Sequence, residues 1–445
     1  MKAHKALERI ILIICLIGIG VSVNGGYLMQ KDLRYIPMLV SVLLMSVIVA
    51  YFPTRKYLPR RFNICAWGNK CLRMFLITSL CSIICQAVMA LSIRPDTWKN
   101  IAISVAVAFV MEAILFWIGI ILVYTTSTQL GIKIRVLGTI FGMVFPINLI
   151  MLGKIINTTT REVNFEWKKC LLNEERKEEK ICATKYPLLL VHGVFFRDYK
   201  LVNYWGRIPD ELIRNGATIY YGEHQSALSV KDSGKELAAR VKEIVDKTGC
   251  RKVNIIAHSK GGLDSRMAVF AHDLEPYVAS ITTINSPHRG CQFADYLLSV
   301  IPDKVTKTTA VTYNAALRKL GDKNPDFIAA VEDLTSNNCA KLDKLMTKPE
   351  NVYCQSFGSK INKIIDGKFP LNFSYALVKH FDGCNDGLVG EDAFEWGDKY
   401  TFLNNKYNVG ISHGDIIDLN RENMPGFDVR EWYVELVSDL KNKGF

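Results

Sequence analysis

Five apolar runs in the first 156 residues constrain this chain more than any other feature: residues 10–29, 36–52, 74–93, 101–124 and 136–156. The first, IILIICLIGIGVSVNGGYLM, carries no charge and is flanked by Lys2, Lys5 and Arg9 on one side and Lys31 on the other. A helix crossing the hydrocarbon of a bilayer needs about 20 such residues. A core helix of a water-soluble domain shows a polar stripe at helical period, whereas these runs are apolar nearly all round. The expectation is an all-α transmembrane region of four to five helices over residues 1–156. The fifth run is the weak member. It contains Pro146, Asn148 and Lys154, and reads either as a span or as a re-entrant or interfacial segment.

Charge divides the chain at the same place. Residues 1–160 hold 16 Lys/Arg against 4 Asp/Glu, which is the whole formal net charge of +12, and residues 161–445 hold 39 of each sign. A nucleic-acid groove needs clustered positive charge on a folded face, so nucleic acid is excluded as a partner, and no protein partner is implied. Basic residues gather before the first run and between the second and third: Arg55, Lys56, Arg60, Arg61, Lys70 and Arg73. Short loops rich in Lys and Arg stay in the cytoplasm. Five spans then put the C-terminal part outside the cytoplasm and four leave it inside; five is the expectation. Glu112, inside the fourth run, reads as a protonated carboxyl at a helix interface rather than a transport site. Seven of the twelve cysteines lie beyond this region, an odd number, and none has zinc-site or redox spacing.

Residues 157–180 are polar and densely charged, and read as a linker or surface helix. From residue 181 the pattern becomes one of short strands: YPLLLVHG, ATIYYG, KVNIIAH and VASITTIN, roughly 30 residues apart. Between the second and third lies DSGKELAARVKEIVDKTG, an amphipathic helix ending at Gly249. Strands and helices alternating in this way imply a mainly parallel sheet covered on both faces, so residues 181–445 are expected to form one α/β domain.

The chemistry gathers around KVNIIAHSKGGLDSR, where Ser259 falls between a buried strand and a helix. A nucleophile at such an elbow needs small residues two before and two after it, here Ala257 and Gly261. The first strand ends in His192–Gly193–Val194, and the amides of Val194 and of Lys260 are candidate oxyanion donors. Downstream come Asp386 in CNDGLVG, with Asp382 a competitor, and His413 in GISHGDIID, giving the chain order Ser–Asp–His. His192 and His288 read as structural hydrogen-bonders beside the pocket.

YPLLLVHG, NYWGRIPDELIRNGATIYYG, AHSKGGLDSR, TTINSPHRGCQFAD and NDGLV together resemble the bacterial triacylglycerol lipases of the α/β-hydrolase superfamily, over residues 184–420. The resemblance implies an α/β-hydrolase domain with Ser259 as nucleophile, His413 as general base and Asp386 as the acid that orients it. It implies a lipid or ester substrate beside membrane lipid, and a helical lid over residues 293–337. It requires no cofactor. In some such lipases an acidic residue two after the His helps hold a structural calcium; Asp415 occupies that position, with Asp366, Asp382 and Asp418 as candidate partners, and calcium is left unclaimed. An acyltransferase using the same triad, and a lipid-binding domain without catalysis, are the alternatives.

Overall fold

Two long apolar helices open the described part of the chain, α1 (Arg60–Ser92) and α2 (Trp98–Thr126). The computed structural model describes residues 55–92, 98–194, 203–225, 227–300, 302–319, 321–368 and 371–445. They divide into two units between Glu174 and Glu175. The apolar runs at 10–29 and 36–52 lie outside the described residues. Those at 74–93 and 101–124 fall on α1 and α2, which are long and apolar enough to cross a membrane. Their outer faces carry Ile83, Leu91, Phe109 and Trp117 exposed. Where the two helices meet, the Glu112 carboxylate accepts bonds from the Thr78 hydroxyl at 2.9 Å and the Ser79 hydroxyl at 3.0 Å. That answers the sequence expectation of a helix-interface position.

The fifth run is not one helix. It begins in α3 (Gly131–Ile140), passes through a single 3-10 turn (Phe141–Met143), and resumes after Pro146 in α4 (Ile147–Glu175). Proline lacks the N–H that a helix interior needs, and its ring clashes with the preceding turn. Helix α4 then continues through most of the charged stretch, so residues 157–175 take the helical one of the two forms expected for them. Their buried members give the reason: Glu162 accepts from the Thr128 amide at 2.8 Å and the Thr128 hydroxyl at 2.7 Å, closing the turn between α2 and α3.

In the second unit the strands are β1 (Leu188–Val191), β2 (Ile219–Tyr221), β3 (Val253–His258), β4 (Val278–Ile284), β5 (Tyr353–Gly358) and β6 (Lys399–Phe402). They form one sheet in the order β2-β1-β3-β4-β5-β6, with every pairing parallel. This is an α/β-hydrolase sheet, as expected from the sequence. Side chains alternate along β1. Leu188 and Leu190 face a core with Trp205, Ile208 and Leu212 of the α5 (Ile208–Arg214) region and Tyr433 and Val437 of α13 (Val429–Asn442). Leu189 and Val191 face the opposite core, with Leu237, Val241 and Ile244 of α6 (Val230–Thr248) and Ala268 and Val269 of α7 (Lys260–Ala271).

Strands β5 and β6 were not foreseen. YCQSFG carries Gln355 and Ser356 where a doubly covered strand is normally apolar. Both are buried and satisfied inside the protein: Gln355 donates to the Thr282 hydroxyl at 3.0 Å and Ser356 to the Trp396 carbonyl at 2.7 Å. Between β4 and β5 the chain makes four helices, α8 (Gln292–Val300), α9 (Asp303–Lys319), α10 (Phe327–Glu332) and α11 (Ser336–Leu345). Between β5 and β6 it makes α12 (Leu371–Asp382). The helical insertion at 293–337 is therefore present.

Candidate active site

Strand order reverses beside β1: the chain leaves it for β2 on one side and returns to β3 on the other. At such a switch point a crevice opens at the C-terminal ends of the strands, where ligands bind in open α/β sheets. Ser259 follows β3 there, and Gly193 and Val194 follow β1.

Ser259 sits at φ 56° and ψ −132°, a backbone region that residues with a Cβ rarely occupy. Strain of this kind costs about 1–3 kcal/mol and persists only where the surroundings enforce it. Here they do: the Ser259 amide donates to the Ile284 carbonyl at 3.0 Å, and the Gly262 amide returns to the Ser259 carbonyl at 3.0 Å. A Cβ at Gly261 would stand 2.5 Å from the His192 carbonyl oxygen, and one at Gly193 would stand 2.8 Å from the Ser259 Cβ. The turn is thus pressed directly against the end of β1. Lys260 is the first residue of α7, so its amide has no acceptor within the helix.

His413 and Asp386 come together. His413 Nδ1 lies 2.6 Å from Asp386 Oδ2, and the His413 amide donates to the Asp386 carbonyl at 2.9 Å. The Asp386 carboxylate is wholly buried. Its Oδ1 accepts from the Leu388 and Val389 amides, both at 2.9 Å, and its Oδ2 also accepts from Asn285 Nδ2 at 2.7 Å. Asp382 is occupied elsewhere, accepting the Gln292 amide at 2.9 Å and the Phe293 amide at 3.1 Å at the start of α8.

Asn285 escapes the sequence reading, and His258, expected to point away from Ser259 across the elbow, has a neighbour that the sequence does not show. Asn285 ends the quoted TTIN stretch, takes φ 47°, and braces Asp386; the signal was a polar residue at the C-terminal end of a sheet strand. His258 packs its ring 4.4 Å from that of His413, while the Tyr204 hydroxyl lies 2.7 Å from its Nδ1. Burial holds the His258 imidazole well below its usual pKa, and so neutral. His192 and His288 are structural hydrogen-bonders as expected: His288 bridges Thr283 Oγ1 at 2.9 Å and Arg266 Nη1 at 3.2 Å.

No family model matches the chain. A triacylglycerol lipase of Vibrio cholerae serotype O1 is 35% identical over 234 residues, covering 46% of this chain and 72% of that protein. The chain belongs to the triacylglycerol lipase family. A triacylglycerol lipase of Pseudarthrobacter phenanthrenivorans is 36% identical over 175 residues, covering 36% of this chain and 54% of that protein. One from Burkholderia plantarii is likewise 36% identical, over 48% of its length. This lipase-family chain thus spans about half the length of those two relatives. A Bacillus licheniformis lipase crystal structure aligns with 57% of this chain and 92% of its own, at 25% identity and a TM-score of 0.42.

Each of the four aspartates named as candidates for calcium accepts hydrogen bonds from within the protein. Asp415 Oδ2 accepts from the Ser412 amide and hydroxyl, and Asp366 Oδ2 from the Lys363 and Gly410 amides. Asp382 is the α8 cap just described. Asp418 holds Arg207, with Nε to Oδ2 and Nη2 to Oδ1 both at 2.7 Å. Among the described residues no group of three or more acidic, His or Cys side chains is arranged to hold a metal ion. In the lipase-family domain Arg207 ties down the loop after His413 through Asp418. Asp418→Asn keeps the shape of the side chain and suits the left-handed backbone, φ 55°, while removing the charge. Because the Asp418 side chain is fully buried, the expected loss is about 3 kcal/mol, read by urea unfolding of the two proteins in the same detergent.

Proposed function

We propose that the chain is a membrane-anchored serine hydrolase of carboxylic esters with lipid character, working through an acyl-enzyme on Ser259. The observation that carries this reading is the His413–Asp386 contact at 2.6 Å, with the His413 ring packed on His258, the residue that precedes a serine held in a strained elbow. Asp386 accepts a hydrogen bond from the His413 Nδ1–H, which leaves Nε2 as the base. His413 takes the Ser259 proton as Oγ attacks the ester carbonyl, then returns it to the departing alcohol. Water repeats the sequence and releases the carboxylic acid. Backbone amides of Val194 and Lys260 are the donors assigned to the tetrahedral oxyanion, an interaction worth roughly 3–4 kcal/mol per donor. His258, kept neutral by burial, adds no second cation against the imidazolium that forms on His413. The test is a fluorophosphonate probe on the full-length protein in lipid, followed by hydrolysis of p-nitrophenyl esters of short and long chains. Ser259 should be the labelled residue in peptide mapping; label elsewhere, or none on an active preparation, overturns the assignment. Transfer of the acyl group to an added alcohol in preference to water would identify an acyltransferase instead.

Membrane anchoring rests on α1 and α2 together with the apolar runs before them. The apolar half of the fifth run in α4, residues 147–156, reaches about 15 Å as a helix, half of a hydrocarbon core. The broken fifth run therefore favours four spans, which leave the catalytic unit on the side of the N-terminus. The protein should resist carbonate extraction from membranes, and externally added protease should leave the catalytic unit intact in sealed cells. Cleavage without permeabilisation would restore the five-span reading.

A further inference from the structure

The side chain of Lys260 serves no step of that mechanism, yet it is buried to 1% exposure immediately after the nucleophile. Its ammonium turns back to Asp264, one turn along α7, at 2.5 Å, and to the Ser233 hydroxyl of α6 at 3.1 Å. The other Asp264 oxygen lies 3.7 Å from His224 Nε2. The His224 ring stacks on His192 with centroids 4.0 Å apart and planes 9° from parallel. The nitrogens of His192 lie 2.8 Å from the Gly193 carbonyl oxygen and 3.1 Å from that of His224. These contacts close a circuit from the first residue of α7 to the loop after β1, the two segments that carry the assigned oxyanion amides.

Stability does not account for the arrangement. Burying two charges costs several kcal/mol per ion, which their attraction rarely repays in full. A cation at a helix N-terminus is also on the wrong side of the helix dipole. Burial pushes the Asp264 carboxyl up to about 7 even with the Lys260 ammonium beside it. An apolar pair would fill the same space at less cost.

We infer that Lys260, Asp264, His224 and His192 form a positioning frame that sets the Lys260 amide against the Val194 amide at the separation a tetrahedral oxyanion needs. This rests on the hydrolase reading above. The frame acts through the backbone, so it bears on the transition state and leaves ground-state ester binding alone. Displacement of an oxyanion donor by about 1 Å costs on the order of 100-fold in rate.

The test is Lys260→Met/Asp264→Leu in the full-length protein in lipid. The expected result is a melting temperature at or above that of the parent, kcat lower by about 100-fold, and KM unchanged. A trifluoromethyl ketone that forms a tetrahedral adduct on the serine should bind weaker by a similar factor, while the carboxylic acid product binds as before. If the double variant fails to melt cooperatively, Asp264→Asn, which keeps the shape, should still lower kcat about 10-fold without moving KM. Parental kcat in either folded variant overturns the frame while the hydrolase reading stands. A parent that hydrolyses no ester overturns both.

Discussion

Ser259→Ala is expected to lower kcat for p-nitrophenyl ester hydrolysis by between about 10⁴ and 10⁶ while KM changes little. The size follows from what the substitution leaves behind. Loss of Oγ removes the covalent route, but the two oxyanion amides belong to the backbone and remain, so some acceleration over water survives. The fold should also survive. At φ 56° and ψ −132° an alanine is strained as serine is, because the strain arises at Cβ, which both possess. The bonds that hold the turn, from the Ser259 amide to Ile284 and from the Gly262 amide to Ser259, are backbone bonds. Circular dichroism and melting temperature should therefore match the parent. An alanine variant that retains more than a tenth of the parent kcat would remove Ser259 from the chemistry.

Legibility in the sequence followed the kind of information each part needed. Strands β1 to β4 were readable because each is an apolar or β-branched run bounded by turn residues, and α6 because its apolar stripe ends at Gly249 in the left-handed region. The elbow was readable because its steric demand is local: Ala257 and Gly261 fall within two residues of Ser259. Strand β5 was hidden because its buried polar residues are satisfied by partners 73 and 40 positions away, a pairing invisible in a window of sequence. The same blindness covers Asn285, 101 residues from the carboxylate it braces, and the contact of His258 with His413, which arrives from the far end of the domain. In the first unit, hydropathy finds the apolar run at 136–156 but leaves open whether it spans or is re-entrant or interfacial. Pro146 was noticed, yet only the structure gives the consequence, two helices with α4 running on into charged sequence. Hydropathy averages over a window and is indifferent to a single missing amide proton.

Asp386→Asn should come close to the effect of losing the serine, at about 10⁴-fold in kcat, with the geometry nearly unchanged. Every neighbour of the carboxylate is a donor: the Leu388 and Val389 amides at Oδ1, and Asn285 Nδ2 with His413 Nδ1 at Oδ2. A carboxamide offers one acceptor and one donor. Turned so that its oxygen serves the two backbone amides, it presents NH₂ to His413 Nδ1 and to Asn285 Nδ2, which keeps its bond to the Ser359 hydroxyl. His413 Nδ1 must then become the acceptor, the proton moves to Nε2, and the base can no longer receive the Ser259 proton. Turned the other way, the NH₂ faces two backbone donors that are left unpaired, at a cost of about 1–3 kcal/mol each, so the first orientation prevails. The variant should therefore fold, keep KM, and lose both acylation and deacylation. Asp382→Asn is the control: that side chain accepts the amides of Gln292 and Phe293, and an asparagine oxygen can keep one of them. Its kcat should stay within about threefold of the parent, because changes remote from the reacting atoms act mainly on stability. If Asp382→Asn is the crippled variant and Asp386→Asn the active one, the acid has been assigned to the wrong aspartate.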